Sequence, residues 1–377
     1  MRSKRLAIVA VAALLMIVFF LPSQCLAANY DYSYWLLDHP DGATRYHLTV
    51  SVTPSLYEYY SSKSHSLRLY EFAKFVTPNA LEPIADNLWS IYDSEEDFAN
   101  GVLMILHQIL YVESNPKYPV ETIVQNQGDC DTFSYVAASI MKAGGLDVVL
   151  LYYEEQSHMN VGVHLAQAPQ DARSTVYYYS YEGTQYYVAE CTGGNWEHGW
   201  RVGEAPDEFE GAFARIITLE DCEQQSPGQV TASYSSPASS SLSLTLSATY
   251  LLQSGTVTIS GSISPIRPYR NVTIYVKSFD SSWNLLQTEV TDANGTYSYV
   301  WEPRSSGLYY IRASWSGDSE YTGADSNVHT LTVISTYWLV LGIAAIAVIS
   351  VVIVMILLTR QTGPRAEDQP SLEDFDF

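Results

Sequence analysis

The sequence predicts an α+β region, then an all-β sandwich, then one transmembrane helix. Three patterns carry this expectation. Helical spacing gives way to alternating strands between residues 92 and 223, short alternating runs stand alone between 242 and 334, and Trp338 to Leu358 is uncharged. The chain has 377 residues, with 41 Asp+Glu against 19 Lys+Arg and a formal charge of −22. Such a charge repels phosphate backbones, so nucleic acid is not expected as a partner.

Residues 1–27 read as a signal peptide. Arg2, Lys4 and Arg5 precede the apolar run Leu6 to Leu21, and Cys25-Leu26-Ala27-Ala28 offers small residues at a cleavage point. In residues 28–91, the N-terminal part of the first region, Tyr46, Leu48, Val50 and Val52 alternate as a strand does. The core, 92–223, opens with a helix start at Ser94 and Asp97, carried on by Phe98, Val102, Ile105, Leu106 and Ile109. Pro116 and Pro119 are expected to end it.

A second helix is expected from Asp129 to Ala143, with Phe133, Val136, Ala137 and Ile140 on one face and Gly144-Gly145 as its stop. Strands follow at Leu146 to Tyr153 and His158 to Leu165. A Tyr-rich hairpin then pairs Val176 to Tyr181 with Gln185 to Cys191.

Residues 224–241 (QQSPGQVTASYSSPASSS) form a Ser/Pro run that reads as a linker. From 242 to 334, about seven short strands predict a sandwich, with Asn294-Gly295 as a hairpin turn. The sequons at Asn271 and Asn294 are glycosylation candidates. Within the span 337–358, Trp338 to Leu358 is long enough to cross a bilayer, its 21 uncharged residues covering roughly 31 Å. Tyr337 and Trp338 before it, and Arg360 and Arg365 after it, place the acidic tail 359–377 in the cytoplasm. The expected location is the cell membrane, single-pass, with residues 28–334 outside.

Cys130 falls at a predicted helix N-terminus, where backbone N–H groups stabilise a thiolate. Asp129 and Asp131 oppose that charge, so a nearby imidazolium is required. His158 begins a strand 28 residues later, and Glu190 ends another, where it could hold the ring. His164 is a rival on the same strand face, roughly 20 Å from His158. With Cys25 removed, three cysteines remain, and pairing Cys191 with Cys222 leaves Cys130 reduced. No CxxC, HExxH or Walker loop occurs, so no metal and no cofactor are expected.

The runs GDCDTFSYVAASIMKAGG, HMNVGV and YYVAECTGGNWEHGWRVGEAP resemble the transglutaminase-like superfamily of papain-type Cys/His/acid folds, in a membrane-anchored archaeal or bacterial branch. The resemblance covers about residues 30–206. It implies Cys130 as nucleophile, His158 rather than His164 as base, and Glu190 as orienting acid. Gln127 is a candidate oxyanion donor beside the Cys130 amide. Two departures are Cys191, where this branch often carries Thr, and Glu in place of the commoner Asp. The segment DANGTYSYVWEP with GLYYIRASWSGDSEYTGADS resembles immunoglobulin-like modules of prokaryotic surface proteins.

The function so implied is thiol acyl transfer on protein or peptide amides at the cell surface, by hydrolysis or by transamidation. The alternative is a non-catalytic surface binding or adhesion protein on the same fold.

Overall fold

The computed structural model describes residues 28–68, 70–209, 211–235, 237–337 and 347–355. The expected signal peptide, and most of the expected span and tail, lie outside them. The first unit opens with β1 (Tyr30–Leu37) and β2 (Arg45–Val52), then α1 (Pro54–Ser62), α2 (Pro78–Trp89) and α3 (Glu95–Leu106). The short β3 (Leu110–Tyr111), α4 (Pro119–Gln125), β4 (Gln127–Gly128) and α5 (Cys130–Ala143) follow. Next come β5 (Val148–Tyr153), β6 (His158–Val163), β7 (Tyr178–Tyr181), β8 (Thr184–Ala189), β9 (Arg215–Ile217) and β10 (Thr231–Ser233).

Helix α5 is buried continuously from Thr132 to Met141, because α2, α3 and α4 pack around it and the sheet closes its remaining side. That sheet is antiparallel throughout, in the order β7-β8-β6-β5-β9. Strand alternation gives it two faces. Leu150, Met159, Val161 and Ala189 join the helices in one core, while Val149, Leu151, Tyr153, Tyr186 and Val188 pack beneath Ala205, Phe209 and Ala214. The β7–β8 turn is held by Glu182 and Gly183 at φ of 46° and 84°, the left-handed geometry of a tight hairpin.

The second unit contains β11 (Ser241–Leu242), β12 (Thr245–Leu246), β13 (Tyr250–Leu252), β14 (Val257–Ser264), β15 (Asn271–Ser278), β16 (Asn284–Val290), β17 (Thr296–Trp301), β18 (Gly307–Gly317), β19 (Thr322–Asp325) and β20 (His329–Ile334). They form a four-stranded and a six-stranded sheet sharing one core around Ile259, Ile274, Ile311 and Leu331. The Asn294-Gly295 turn does not make the expected hairpin. It carries the chain from β16 in one sheet to β17 in the other.

Three expectations are corrected here. The predicted class was an α+β papain/transglutaminase-like domain with a sandwich and a membrane helix. The described chain is instead strand-rich, 34% strand against 23% helix, and its helices form a layer on antiparallel sheets rather than a helical catalytic domain. The transmembrane helix at 337–358 and the single-pass cell-membrane location fall with it. Among the described residues no helix is long and apolar enough to cross a membrane. The longest named helix among the described residues has 14 residues, about 21 Å, against the roughly 30 Å of a hydrocarbon core.

The expected 224–241 linker is also built into the fold. Thr231, Ala232 and Ser233 pair antiparallel with Ser51, Val50 and Thr49, which adds β10 to the β1–β2 sheet. Asn87 Nδ2 donates to the Ala232 carbonyl at 3.1 Å, and Gln229 N donates to Ser316 Oγ at 2.9 Å. Thr231, Ser233 and Ser240 also donate their hydroxyls to the carbonyls of Ser316, Ser319 and Thr322.

Candidate functional site

Asp129 caps α5 reciprocally: Thr132 N donates to Asp129 Oδ1 at 3.3 Å, and Asp129 N donates to Thr132 Oγ1 at 2.8 Å. Its Oδ2 takes Ser114 N at 2.8 Å, so the cap also fixes the preceding loop. Gly128 is required for close approach, since a Cβ there would lie 2.2 Å from Thr132 Oγ1. Cys130 is therefore held at the first position of the helix. Ser134 Oγ, one turn on, donates to the Cys130 carbonyl at 2.7 Å and to the Met159 carbonyl at 2.9 Å, which docks the helix on β6.

Cys130 Sγ lies 4.0 Å from the Ser157 carbonyl, next to His158, and 4.0 Å from Asp131 Oδ1. His158 Nε2 sits 3.1 Å from Glu190 Oε2 and 3.0 Å from Asn160 Oδ1. Two acceptors fix the proton on Nε2 and leave Nδ1 for the thiol. Burial works against the imidazolium, but the Cys130 thiol and the Glu190 carboxylate outweigh it and push His158 up to about 10. The ring is stacked on Phe209 at 4.7 Å.

Glu190 has no exposed surface. Burial alone would raise it, yet the hydrogen bonds from His158 and Thr192 hold it below the usual carboxylate range. Thr192 N donates to Glu190 Oε1 at 2.8 Å, and Thr192 Oγ1 donates to the same oxygen. His107 Nε2 donates to the Glu190 backbone carbonyl at 3.1 Å, its charge disfavoured by burial. Gly193 and Gly199 leave room for that ring; a Cβ at Gly199 would come within 2.3 Å of it. Asp131 is raised to about 7 by burial and by the neighbouring Asp129.

The structure thus brings Cys130, His158 and Glu190 together and keeps His164 apart. His164 is exposed, its Nδ1 3.0 Å from the Gln185 carbonyl. Gln127 ends three residues before Cys130, with its carbonyl on Lys117 Nζ at 3.1 Å. Its side-chain amide makes no hydrogen bond among the described residues.

The expected Cys191–Cys222 bridge is not made, and all three described cysteines are free. Cys191 lies by Ser134 and Val161, whereas Cys222 lies by Lys142. Ser134 and Lys142 are near opposite ends of α5, about 12 Å apart along its axis. Burial pushes both thiols up. Asn271 and Asn294 are exposed at the start of β15 and in the β16–β17 turn.

Residue types alone missed Asn160, Thr192, His107 and Phe209. Asn160 had a usable signal, because it follows His158 by two on one strand and so shares its face. Away from the site, His39, Asp97 and Asp171 are close enough to hold an ion. The His39 Nδ1 accepts Asp41 N at 3.2 Å, which puts the proton on Nε2, the atom facing both carboxylates. The ring lies 3.7 Å from Asp97 Oδ1 and 3.2 Å from Asp171 Oδ1.

No family model and no curated protein matches the chain. Among solved structures, it is similar over 22% of its length to a chitin-binding domain from Burkholderia pseudomallei, at 16% identity and a TM-score of 0.19. That match spans 56% of the other chain. It is similar over 26% of its length to the sulfur carrier protein SoxY from Chlorobium limicola f thiosulfatophilum, at 10% identity, 86% of that chain and a TM-score of 0.18. Likeness at that level carries no argument about fold or function.

Proposed function

We propose that the chain is a thiol acyl-transfer enzyme with the chemistry of the transglutaminase-like family, acting on peptide or protein amides. One observation carries this reading: His158 lies between the Cys130 thiol and a fully buried, ionised Glu190. A buried carboxylate is costly unless it is used or paired, and here both of its oxygens serve the histidine or the turn that holds it.

The reaction runs through a thioester. His158 Nδ1 takes the Cys130 proton as Sγ attacks the amide carbonyl carbon, forming a C–S bond. The developing oxyanion faces the N-terminus of α5, with Gln127 as a further donor. As the C–N bond breaks, His158 returns the proton to the leaving amine. Glu190 and Asn160 keep Nε2–H fixed throughout, so the ring neither rotates nor changes tautomer. Water or a second amine then gives its proton to His158 and attacks the thioester, and the thiol leaves as the acid or the new amide forms.

Iodoacetamide tests the nucleophile directly. Peptide mapping of the native protein should find Cys130 carboxamidomethylated first, with buried Cys191 and Cys222 protected. Labelling that spares Cys130 would leave a binding protein as the better reading. A dansylated amine supplied with a Gln-containing protein then separates incorporation from hydrolysis.

A further inference from the structure

We propose that the open edge of β3 is a docking strand for an extended, positively charged polypeptide, which adds to the β3–β4 pair and is delivered to Cys130. The identity of the reacting atom rests on the thioester reading above; the docking does not. Strands β3 and β4 are parallel, with Leu110 opposite Gln127 and Tyr111 opposite Gly128. Leu110 N donates to the Asn126 carbonyl at 3.3 Å and Val112 N to the Gly128 carbonyl at 2.7 Å. Alternation then turns the N–H and C=O of Tyr111 to the opposite edge, and among the described residues no further strand pairs with β3.

That edge is apolar and uncovered: Leu110, Tyr111 and Val112 are 62%, 52% and 37% exposed. Natural edge strands are often blunted by Lys or Pro on the strand; β3 is short, but Leu110, Tyr111 and Val112 supply neither. Its position is specific, because β4 runs into Cys130 through Asp129 alone. Tyr111 packs edge-on against Phe133 of α5 at 6.1 Å, and its hydroxyl is pushed up by burial and by Cys130, Asp129, Glu113 and Asp131 around it.

Charge selects the occupant. Glu113 is exposed beside the edge, and Glu154 and Glu155 project from the β5–β6 turn that ends at His158. The one base on this stretch, Lys117, is buried and held by Gln125 Oε1 at 3.0 Å and the Gln127 carbonyl at 3.1 Å. Main-chain pairing supplies affinity independent of sequence, and the acids favour Lys- and Arg-rich segments.

The test uses the full chain carrying Cys130→Ala and a short fluorescein-labelled Lys/Val/Gln peptide, read by anisotropy. Each peptide amide is N-methylated in turn. Affinity should fall about 10-fold or more at alternate amides within one short window and stay level elsewhere. Replacing Lys by Glu in the peptide should weaken binding by at least about 10-fold. Tyr111→Pro should give the same loss as the worst N-methyl position, while Tyr111→Phe binds as the parent does. A flat N-methyl scan, or equal affinity for the Glu peptide, overturns the proposal. Iodoacetamide mapping reports on the thioester reading separately, since a protein unreactive at Cys130 can still return the alternating scan.

Discussion

Glu190 and Asp325 are both buried carboxylates, and the fold treats them in opposite ways. Glu190 uses both oxygens, one toward His158 and one toward Thr192, and is held below the usual carboxylate range. Asp325 lies at the seam between the two units. Its Oδ2 accepts Ser55 N at 2.8 Å, while its Oδ1 makes no hydrogen bond among the described residues. Burial raises it despite Ser314, Ser55 and the Arg312 guanidinium nearby. Arg312 is itself directed to Glu58, at 2.9 Å. Burial alone therefore does not decide whether a carboxylate is charged; the number of donors aimed at it does. Around Glu190 the donors are complete, and at the seam they are not.

Cys130→Ala breaks the comparison most severely. Amide turnover should drop by at least about 1000-fold while the unfolding midpoint hardly moves, because the substitution leaves Glu190 and its donors in place. A steady-state assay with paired thermal melts checks both halves.

His158→Ala should cost roughly 100- to 10,000-fold in turnover, the range for a lost general base. It also removes a pH dependence. His158 rises in the fold from its ordinary value of 6.5 to about 10, so its stabilisation is complete below about pH 6.5 and is lost as pH climbs through about 10. Melts of the parent protein between pH 6 and 10 should show that decline, and melts of the variant should lack it.

Glu190→Gln sharpens the contrast, since it keeps the shape and removes the charge. Turnover should fall by about 100-fold. The parent should lose stability as pH falls through the lowered Glu190 value, and the variant should not lose this contribution. Acid titrations followed by circular dichroism measure it.

Asp325→Asn has the smallest expected effect, below about 2 kcal/mol in stability, with turnover unchanged. The sign is reversed here. A raised carboxylate favours the fold at low pH, so the parent loses this contribution as pH rises above about 3.8, and the variant does not.

Much of the site was legible because its signals are local. Cys130 after Gly128 and Asp129 reads as a helix start from capping chemistry, and His158 and Glu190 sit at ends of alternating runs. The helices between were harder to see, because proline was read as a terminator. Pro54, Pro78 and Pro119 each stand in the first turn of a helix, where the missing N–H costs nothing. Pro119, expected to end one helix, starts another.

Long-range partners left no local trace. The Ser/Pro segment 224–241 has the composition of a linker, and its place in the fold comes from distant partners such as Ser51, Asn87 and Ser316. The cysteine count suggested a bridge, but it contained no information about which end of α5 each thiol adjoins.

The strand β10 also imposes an order on folding. Its partners on β2, and the contact from Asn87 to Ala232 across 145 residues, cannot form until most of the chain has been made. Asn29 Nδ2 waits longer still, for the Gly323 carbonyl 294 residues away. On the ribosome, β1 and β2 would emerge early as an unfinished sheet with one edge unsealed, paired but not enclosed. Closing such distant contacts is slow. The thiol at Cys130 is likewise synthesised before its surroundings are complete, and reactivity should appear only once His158, Glu190 and Phe209 have been made and packed.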